Sequence, residues 1–170
     1  FDNKPFHVIA NLPYYITTPI IMQILESRLP VVSMTLMVQK EVADRMCATC
    51  GSKEYGALSV AVQYYTIPTV ICRAEPHCFI PQPKVASSVV HLKVSATPTV
   101  TVSDEKKFFA IVKSSFGQRR KTLLNALSKS PYFSANKDSV RSALVQMGVD
   151  ENIRGEKLSI SQFAKLSELL

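Results

Sequence analysis

His7-Val8-Ile9-Ala10-Asn11-Leu12-Pro13-Tyr14 begins as a short, nearly continuous apolar run and ends on turn-forming residues. A run of that length fits a strand buried on both faces, as parallel sheets require. Just beyond it, Thr17-Thr18-Pro19 offers hydroxyl caps and a proline in a first helical turn. Ile20, Ile21, Ile24 and Leu25 then continue at helical spacing. Strand, tight turn and helix in that order form the repeating unit of an open α/β sheet. In such sheets ligands meet the carboxyl ends of the strands, which is where Asn11 to Tyr14 fall.

Outward from this segment the alternation continues. Strands are expected at 33–38, 67–74 and 86–94, and helices at 40–48 and 57–65, although the apolar density of 57–65 also suits a strand. Between the last two strands, Glu75 to Lys84 reads as loop. The style changes after Ser95. Thr97-Pro98-Thr99 reads as a linker, and helices follow at 104–116, 118–129, 138–147 and 159–169. Ser103 or Asp104 caps the first and Ser159 the last, with Gly148 and Gly155 as punctuation. The expected architecture is α/β: a truncated sheet of four strands over residues 1–96, then a small all-helical domain over 97–170. A chain that opens on Phe1 and enters a strand within seven residues is expected to be a piece of a longer protein.

A length of 170 residues suits one average domain or two small ones. With 46% hydrophobic and 19% charged residues and five glycines, the composition is globular, neither collagenous nor disordered. No apolar run approaches the ~18 residues of a membrane span, so no membrane partner is expected. The net charge of +7 is uneven. Residues 1–103 carry eight Lys/Arg against six Asp/Glu, whereas 104–170 carry twelve against seven. Lys113 to Lys129 contains five basic residues and no acidic one. Such a block suits a phosphate-bearing partner, or simply a solvated helix face. Cys47 and Cys50 form a C-x-x-C on a helix-like segment with no second ligand pair at zinc-ribbon spacing, so no metal is expected. The cysteines read as ordinary thiols of a reducing compartment, the cytoplasm.

Each residue of Asn11-Leu12-Pro13-Tyr14 has a use if the target is the exocyclic amine of a base. Asn11 offers a side-chain carbonyl acceptor. Pro13 fixes the backbone so that the Leu12 carbonyl can serve as a second acceptor. Tyr14 gives a flat face for stacking. Adenine N6 is a poor nucleophile because its lone pair is delocalised into the ring. Two fixed acceptors on its N–H groups favour the pyramidal, positively charged transition state of alkylation. Taken alone, the four residues fit an ordinary strand-to-turn junction equally well.

In its longer pattern the chain resembles the ribosomal RNA adenine dimethyltransferases, which use S-adenosylmethionine to modify two adjacent adenines near the end of small-subunit rRNA. The resemblance covers nearly the whole chain in five ordered blocks: Asn11 to Pro19, Val38 to Arg45, Ser52 to Ser59, Phe79 to Val90 and Phe116 to Leu127. It implies a Rossmann-like methyltransferase sheet in which Asn11 and Leu12 accept from the target amine. Tyr14 then stacks on the adenine, Phe79 covers its other face, and Asn11 lies near the methionine part of the cofactor. The family's glycine-rich cofactor loop and its acidic cofactor-binding residues have no counterpart in this sequence. The chain alone is therefore expected neither to bind S-adenosylmethionine well nor to turn over.

On the expected helix 118–129, Gln118, Lys121, Thr122, Asn125 and Lys129 share one stripe, and Phe116, Leu123, Leu124 and Leu127 form the opposite, buried one. Arg119 lies at the edge and Arg120 points to the apolar side. Lys113, Gln118, Arg119, Lys121 and Asn125 are the candidate RNA contacts there, with Lys84 beside the target loop. The expected partner is small-subunit rRNA or its assembling particle. Two other readings remain: a large-subunit rRNA adenine methyltransferase of the antibiotic-resistance kind, and a non-catalytic rRNA-binding assembly module. An uncovered strand edge at Val8–Asn11 is expected to favour dimers.

Overall fold

The computed structural model describes residues 4–27 and 29–170. Four strands form one mixed sheet in the order β1-β2-β4-β3, with β1 at Phe6–Asn11, β2 at Val31–Gln39, β3 at Thr66–Ala74 and β4 at Ser87–Val94. The β1–β2 pair is parallel and places Asn11 opposite Met37. The β2–β4 and β3–β4 pairs are antiparallel, and a register shift falls between Val70 and Cys72 of β3. Parallel strands need a crossover, and α1 (Thr17–Glu26) supplies it between β1 and β2. Helices α2 (Lys40–Met46) and α3 (Ala57–Tyr65) come between β2 and β3.

The chain divides into two compact units, one of residues 1–48 and 61–99 and one of 49–60 and 100–170. The core of the first follows the pleat. Met34, Leu36 and Val38 alternate down one face of β2, joined by Val90 and Leu92 of β4, and all five are buried. β1 differs from the expected doubly buried strand. One of its faces is open, with Ile9 83% exposed, and its edge away from β2 has no strand neighbour among the described residues. An apolar run cannot by itself show whether both faces of a strand are covered. Gln63 of α3 closes the end of α2 by donating from Nε2 to the Met46 and Ala48 carbonyls, at 2.9 Å each. This satisfies acceptors that a helix end otherwise leaves unpaired.

The second unit packs α4 (Glu105–Gly117), α5 (Leu123–Ser128), α6 (Lys137–Met147) and α7 (Ile160–Leu169) around Phe108, Ile111, Leu123, Leu144 and Phe163. Asp104 caps α4 by accepting from the Lys107 N–H. Ser159 and Gln162 form a reciprocal capping box on α7. Gly148 ends α6 at φ +68°, a left-handed position that glycine occupies without strain. Gly155 is needed for a different reason. A Cβ there would come within 2.9 Å of the Ser115 Cβ and 3.1 Å of its carbonyl oxygen on α4.

Thr17 and Thr18 do not cap α1, whose N-cap is Ile16 and makes no side-chain cap bond. Thr17 is instead buried and donates its hydroxyl back to the Pro13 carbonyl at 2.9 Å. The expected helix 118–129 is two pieces. α4 ends at Gly117, residues 118–122 form a turn, and α5 is only Leu123–Ser128. The polar stripe drawn on that helix therefore does not exist, and Arg120 is exposed rather than on an apolar side.

Ser103 does not cap α4 but joins α7, donating from its N–H and hydroxyl to the Glu168 carboxylate at 2.7 to 3.0 Å. The Ser103 N–H bond, then its hydroxyl bond, hold the Glu168 carboxyl below its ordinary value of 4.5. A depressed folded-state pKa contributes stability that is present above the unfolded value and is lost as pH falls through the folded one. Wild type is therefore expected to melt above Glu168→Gln at neutral pH, with the difference closing below about pH 4.5. Thermal melts across pH 3–7 check this; a difference independent of pH would refute it.

Candidate active site

The carboxyl end of β1 delivers Asn11 to the rim of a cleft of about 320 Å³ in the first unit. That is near the lower limit for small-ligand sites, roughly 300–1,000 Å³. Asn11, Leu12, Pro13 and Tyr14 line it together with Met37, Phe79, Pro81, Pro83 and Ser87. The turn after β1 is locked by two hydrogen bonds onto one atom. The Ile16 N–H and the Thr17 hydroxyl both donate to the Pro13 carbonyl, at 3.2 and 2.9 Å. Leu12 buries its side chain and donates its N–H to the Met37 carbonyl at 3.2 Å. Among the described residues, the Asn11 side-chain amide and the Leu12 carbonyl have no hydrogen-bond partner.

Tyr14 is 42% exposed, and its hydroxyl lies 3.2 Å from the Ser87 hydroxyl at the start of β4. That bond tethers the far end of the ring and leaves its face available. Phe79 follows a short 3-10 turn at Pro76–Cys78 and is held by its N–H bond to the Pro76 carbonyl. Its ring is partly buried. Lys84 is exposed one residue beyond Pro83. Sequence reading singled out neither Met37 nor Ser87. The signal for Met37 was present, because the residue level with Asn11 on a parallel neighbour must share the same rim. Among the described residues, the lining includes no carboxylate and no imidazole.

In the second unit, the turn between α4 and α5 forms its own cavity of about 330 Å³, lined by Gly117, Gln118, Arg119, Arg120 and Lys121. The two arginines behave differently. Arg119 donates to the Lys53 carbonyl at 2.8 Å and the Tyr55 carbonyl at 3.4 Å, and pairs with Glu156 at 3.4 Å. It thereby ties the turn to the 49–60 segment. Arg120 and Lys121 are exposed, with no side-chain partner among the described residues. Asn125 donates its amide to the Thr122 hydroxyl at 3.0 Å, inside the α5 cap. The Lys113 ammonium lies 3.8 Å from the centre of the Tyr132 ring. Cys47 follows the end of α2, and burial, aided by Asp44, pushes its thiol up. Burial also raises the exposed Cys50, against the pull of Lys157. A raised thiol pKa disfavours the reactive thiolate.

The family model described as ribosomal RNA adenine dimethylase matches residues 1–170. The chain belongs to the ribosomal RNA adenine dimethylase family. Relatives within it include ribosomal RNA small subunit methyltransferase A of Lachnoclostridium phytofermentans, 50% identical over 98% of this chain and 58% of that protein. The protein of the same name from Alkaliphilus metalliredigens is 53% identical over 99% of this chain and 58% of its own length. The chain thus spans less than two thirds of these dimethylase-family relatives. Among solved structures, a dimethyladenosine transferase from Plasmodium falciparum superposes with a TM-score of 0.77 at 26% identity, covering 94% of this chain and 64% of that one. The 23S rRNA methyltransferase ErmE shares the fold, with a TM-score of 0.70 at 23% identity over 98% of this chain and 66% of that one. The expected architecture, an α/β Rossmann-like methyltransferase sheet followed by helices, is the one found in this family. Among the described residues, no helix is long and apolar enough to cross a membrane.

Proposed function

We propose that this chain supplies the base-gripping cleft and an RNA-docking surface of an rRNA adenine-N6 dimethyltransferase. Its substrate would be two adjacent adenines near the 3′ end of small-subunit rRNA, in the free RNA or the assembling particle, and its site of action the cytoplasm. One observation carries the reading. Asn11 and Leu12, whose side-chain amide oxygen and main-chain carbonyl have no hydrogen-bond partner among the described residues, line one cleft with Tyr14 and Phe79. The names of the 50% and 53% identical relatives support rRNA of the small subunit as the target.

The chemistry follows from those acceptors. An extruded adenine would stack on Tyr14, with Phe79 over its other face, and place its amine against the two oxygens. Hydrogen bonds to both N–H groups pull the nitrogen out of conjugation and stabilise the positive charge that forms on it. Pro13 keeps the Leu12 carbonyl in place, because its own carbonyl is bonded twice within the turn. The cationic product is acidic and loses a proton to water, so no general base is needed at the lining. S-adenosylmethionine, when bound, supplies an electrophilic methyl group. Asn11 fits the methionine end of that cofactor, being polar, exposed and unpartnered at the carboxyl end of β1. The test is methyl transfer from S-adenosylmethionine to a small-subunit rRNA fragment by a protein of the relatives' length carrying this sequence. Mass spectrometry should find N6,N6-dimethyladenosine; its absence, with the RNA bound, would overturn the reading.

The second unit would add phosphate-binding groups. Arg120 and Lys121 are cations of the α4–α5 turn with no side-chain partner among the described residues, and Arg119 is the strut that holds the turn's shape. Lys84 would meet phosphate beside the cleft, while Lys113, Gln118 and Asn125 would bind the RNA nearby. Removing one cation that neutralises a phosphate should flatten the salt dependence of binding by about 0.7 to 0.9 in log–log slope. Arg120→Ala combined with Lys121→Ala is expected to reduce the slope by about 1.5, read from rRNA-fragment binding between 50 and 200 mM salt. An unchanged slope would remove the turn from the interface.

A further inference from the structure

Ile80 is fully exposed and Tyr15 is 88% exposed, the two largest exposures of any large apolar side chain among the described residues. Both flank the same cleft. Tyr15 directly follows Tyr14, which lines it, and Ile80 sits between Phe79 and Pro81, which also line it. Scattered exposed apolar residues are ordinary on a protein surface. Two at maximal exposure, on neighbouring stretches of one cleft's lining, are not scattered. Neither belongs to a mobile tip. The turn bearing Tyr15 is fastened by the two bonds onto the Pro13 carbonyl, and the buried Thr17 anchors it from below. Ile80 stands on a loop fastened by the Cys78 N–H to Glu75 and the Phe79 N–H to Pro76. Each side chain is exposed to solvent on a backbone that these bonds fasten.

We infer that Tyr15 and Ile80 hold the nucleotides flanking the target adenine, Tyr15 as a stacking platform and Ile80 as an apolar wedge. This inference rests on the base-gripping reading of the cleft. Extruding one base leaves its neighbours with a newly bared face. A flat aromatic ring covers such a face whatever the base identity, and a branched aliphatic side chain is the kind that inserts between unstacked bases. The exposed Lys84, four residues past Ile80, gives that side of the mouth the charge a phosphate backbone needs. Tyr15 has no hydrogen-bond or ring partner among the described residues, so occupation by a base displaces nothing.

The test uses a single-stranded uridine-rich RNA with one central adenine and a neighbouring 2-aminopurine, whose fluorescence falls when an aromatic ring stacks on it. Binding to the 170-residue chain should quench the probe. Tyr15→Ala should abolish the quench and weaken binding on the order of 5- to 100-fold, as loss of one base stack implies. Ile80→Ala should weaken binding less and leave the quench. Both positions are solvent-exposed, so folding is unaffected, and circular dichroism verifies it. In a parallel RNA, purine riboside, which lacks the amine, replaces the central adenosine. If that RNA binds more weakly than the adenine RNA while Tyr15→Ala keeps full quench and affinity, the cleft reading stands and this inference is overturned. If the two RNAs bind equally to wild type, the base-gripping reading itself fails and takes this inference with it.

Discussion

Asn11→Ala is expected to lower methyl transfer to small-subunit rRNA by about 10²–10³-fold, the loss seen when one preorganised group facing a developing charge is removed. Folding should not suffer. The side chain is exposed and has no partner among the described residues, and substitutions at such positions usually stay within about 0.5 kcal/mol. On the proposed reading, a bond from Asn11 to the target amine would strengthen only as charge forms there, so kcat and kcat/KM should fall together. Tyr14→Ala offers the contrast. The proposed stacking on its ring would be made before the reaction as well as during it, so its loss should act mainly on KM, by about 1–3 kcal/mol of binding. Asn11→Asp keeps an oxygen acceptor at the same place and should retain more activity than the alanine variant. These rates are measured by labelled-methyl incorporation in a protein of the relatives' length carrying these substitutions. An alanine variant that keeps half the wild-type rate would remove Asn11 from the chemistry.

That much of the cleft could be read from the sequence because it depends on local order. An apolar run followed by Asn-Leu-Pro-Tyr must put those residues at a strand's carboxyl end, and the chain reaches that point in a single step. Phe79 was assigned only through resemblance. Its place in the same cleft as Tyr14 depends on β4 pairing with β2, which joins residues about fifty apart. The pairing that brings Ser87 to the Tyr14 hydroxyl spans 73 residues and had no local signal at all.

The failure at 118–129 has a definite cause. Gln, Arg, Arg and Lys all favour helix, so propensity ran straight through them. Tertiary bonds override it. Arg119 is drawn to the Lys53 and Tyr55 carbonyls, and the Leu123 N–H, which an unbroken helix would use internally, goes to the Ile153 carbonyl at 2.7 Å. Thr122 then restarts the helix as a true N-cap, accepting from the Asn125 N–H. Gly117 and a Thr ahead of two leucines were the available cues, and both are weak. The 49–60 segment joins the second unit for the same kind of reason, since the Gly51 N–H bonds the Glu156 carbonyl more than a hundred residues away.

Phe163→Ala is expected to destabilise the helical unit by about 3–5 kcal/mol, the usual loss for a fully buried phenylalanine. Phe163 has no exposed surface. Its ring centre lies 5.9 Å from that of Phe116, and Phe116 meets Tyr55 edge-on at 5.8 Å. The three rings form a row from α7 through the end of α4 to the 49–60 segment. Tyr55 is only 1% exposed, and burial pushes its phenol well above the ordinary range, so the hydroxyl stays protonated and the ring contributes mainly by packing. Removing the middle of α7's contribution leaves a cavity that Phe116 can fill only by leaving Tyr55. The consequence therefore reaches the strut at Arg119, whose acceptors are the carbonyls of Lys53 and Tyr55. Hydrogen exchange should show it directly. Amides of α4 and α7 are expected to lose protection by about 10²–10⁴-fold, and Phe163→Leu should recover most of the loss. Unchanged protection in α4 with loss confined to α7 would mean that the aromatic row carries no energy beyond its last ring. In that case the basic turn would owe its shape to the Arg119 bonds alone.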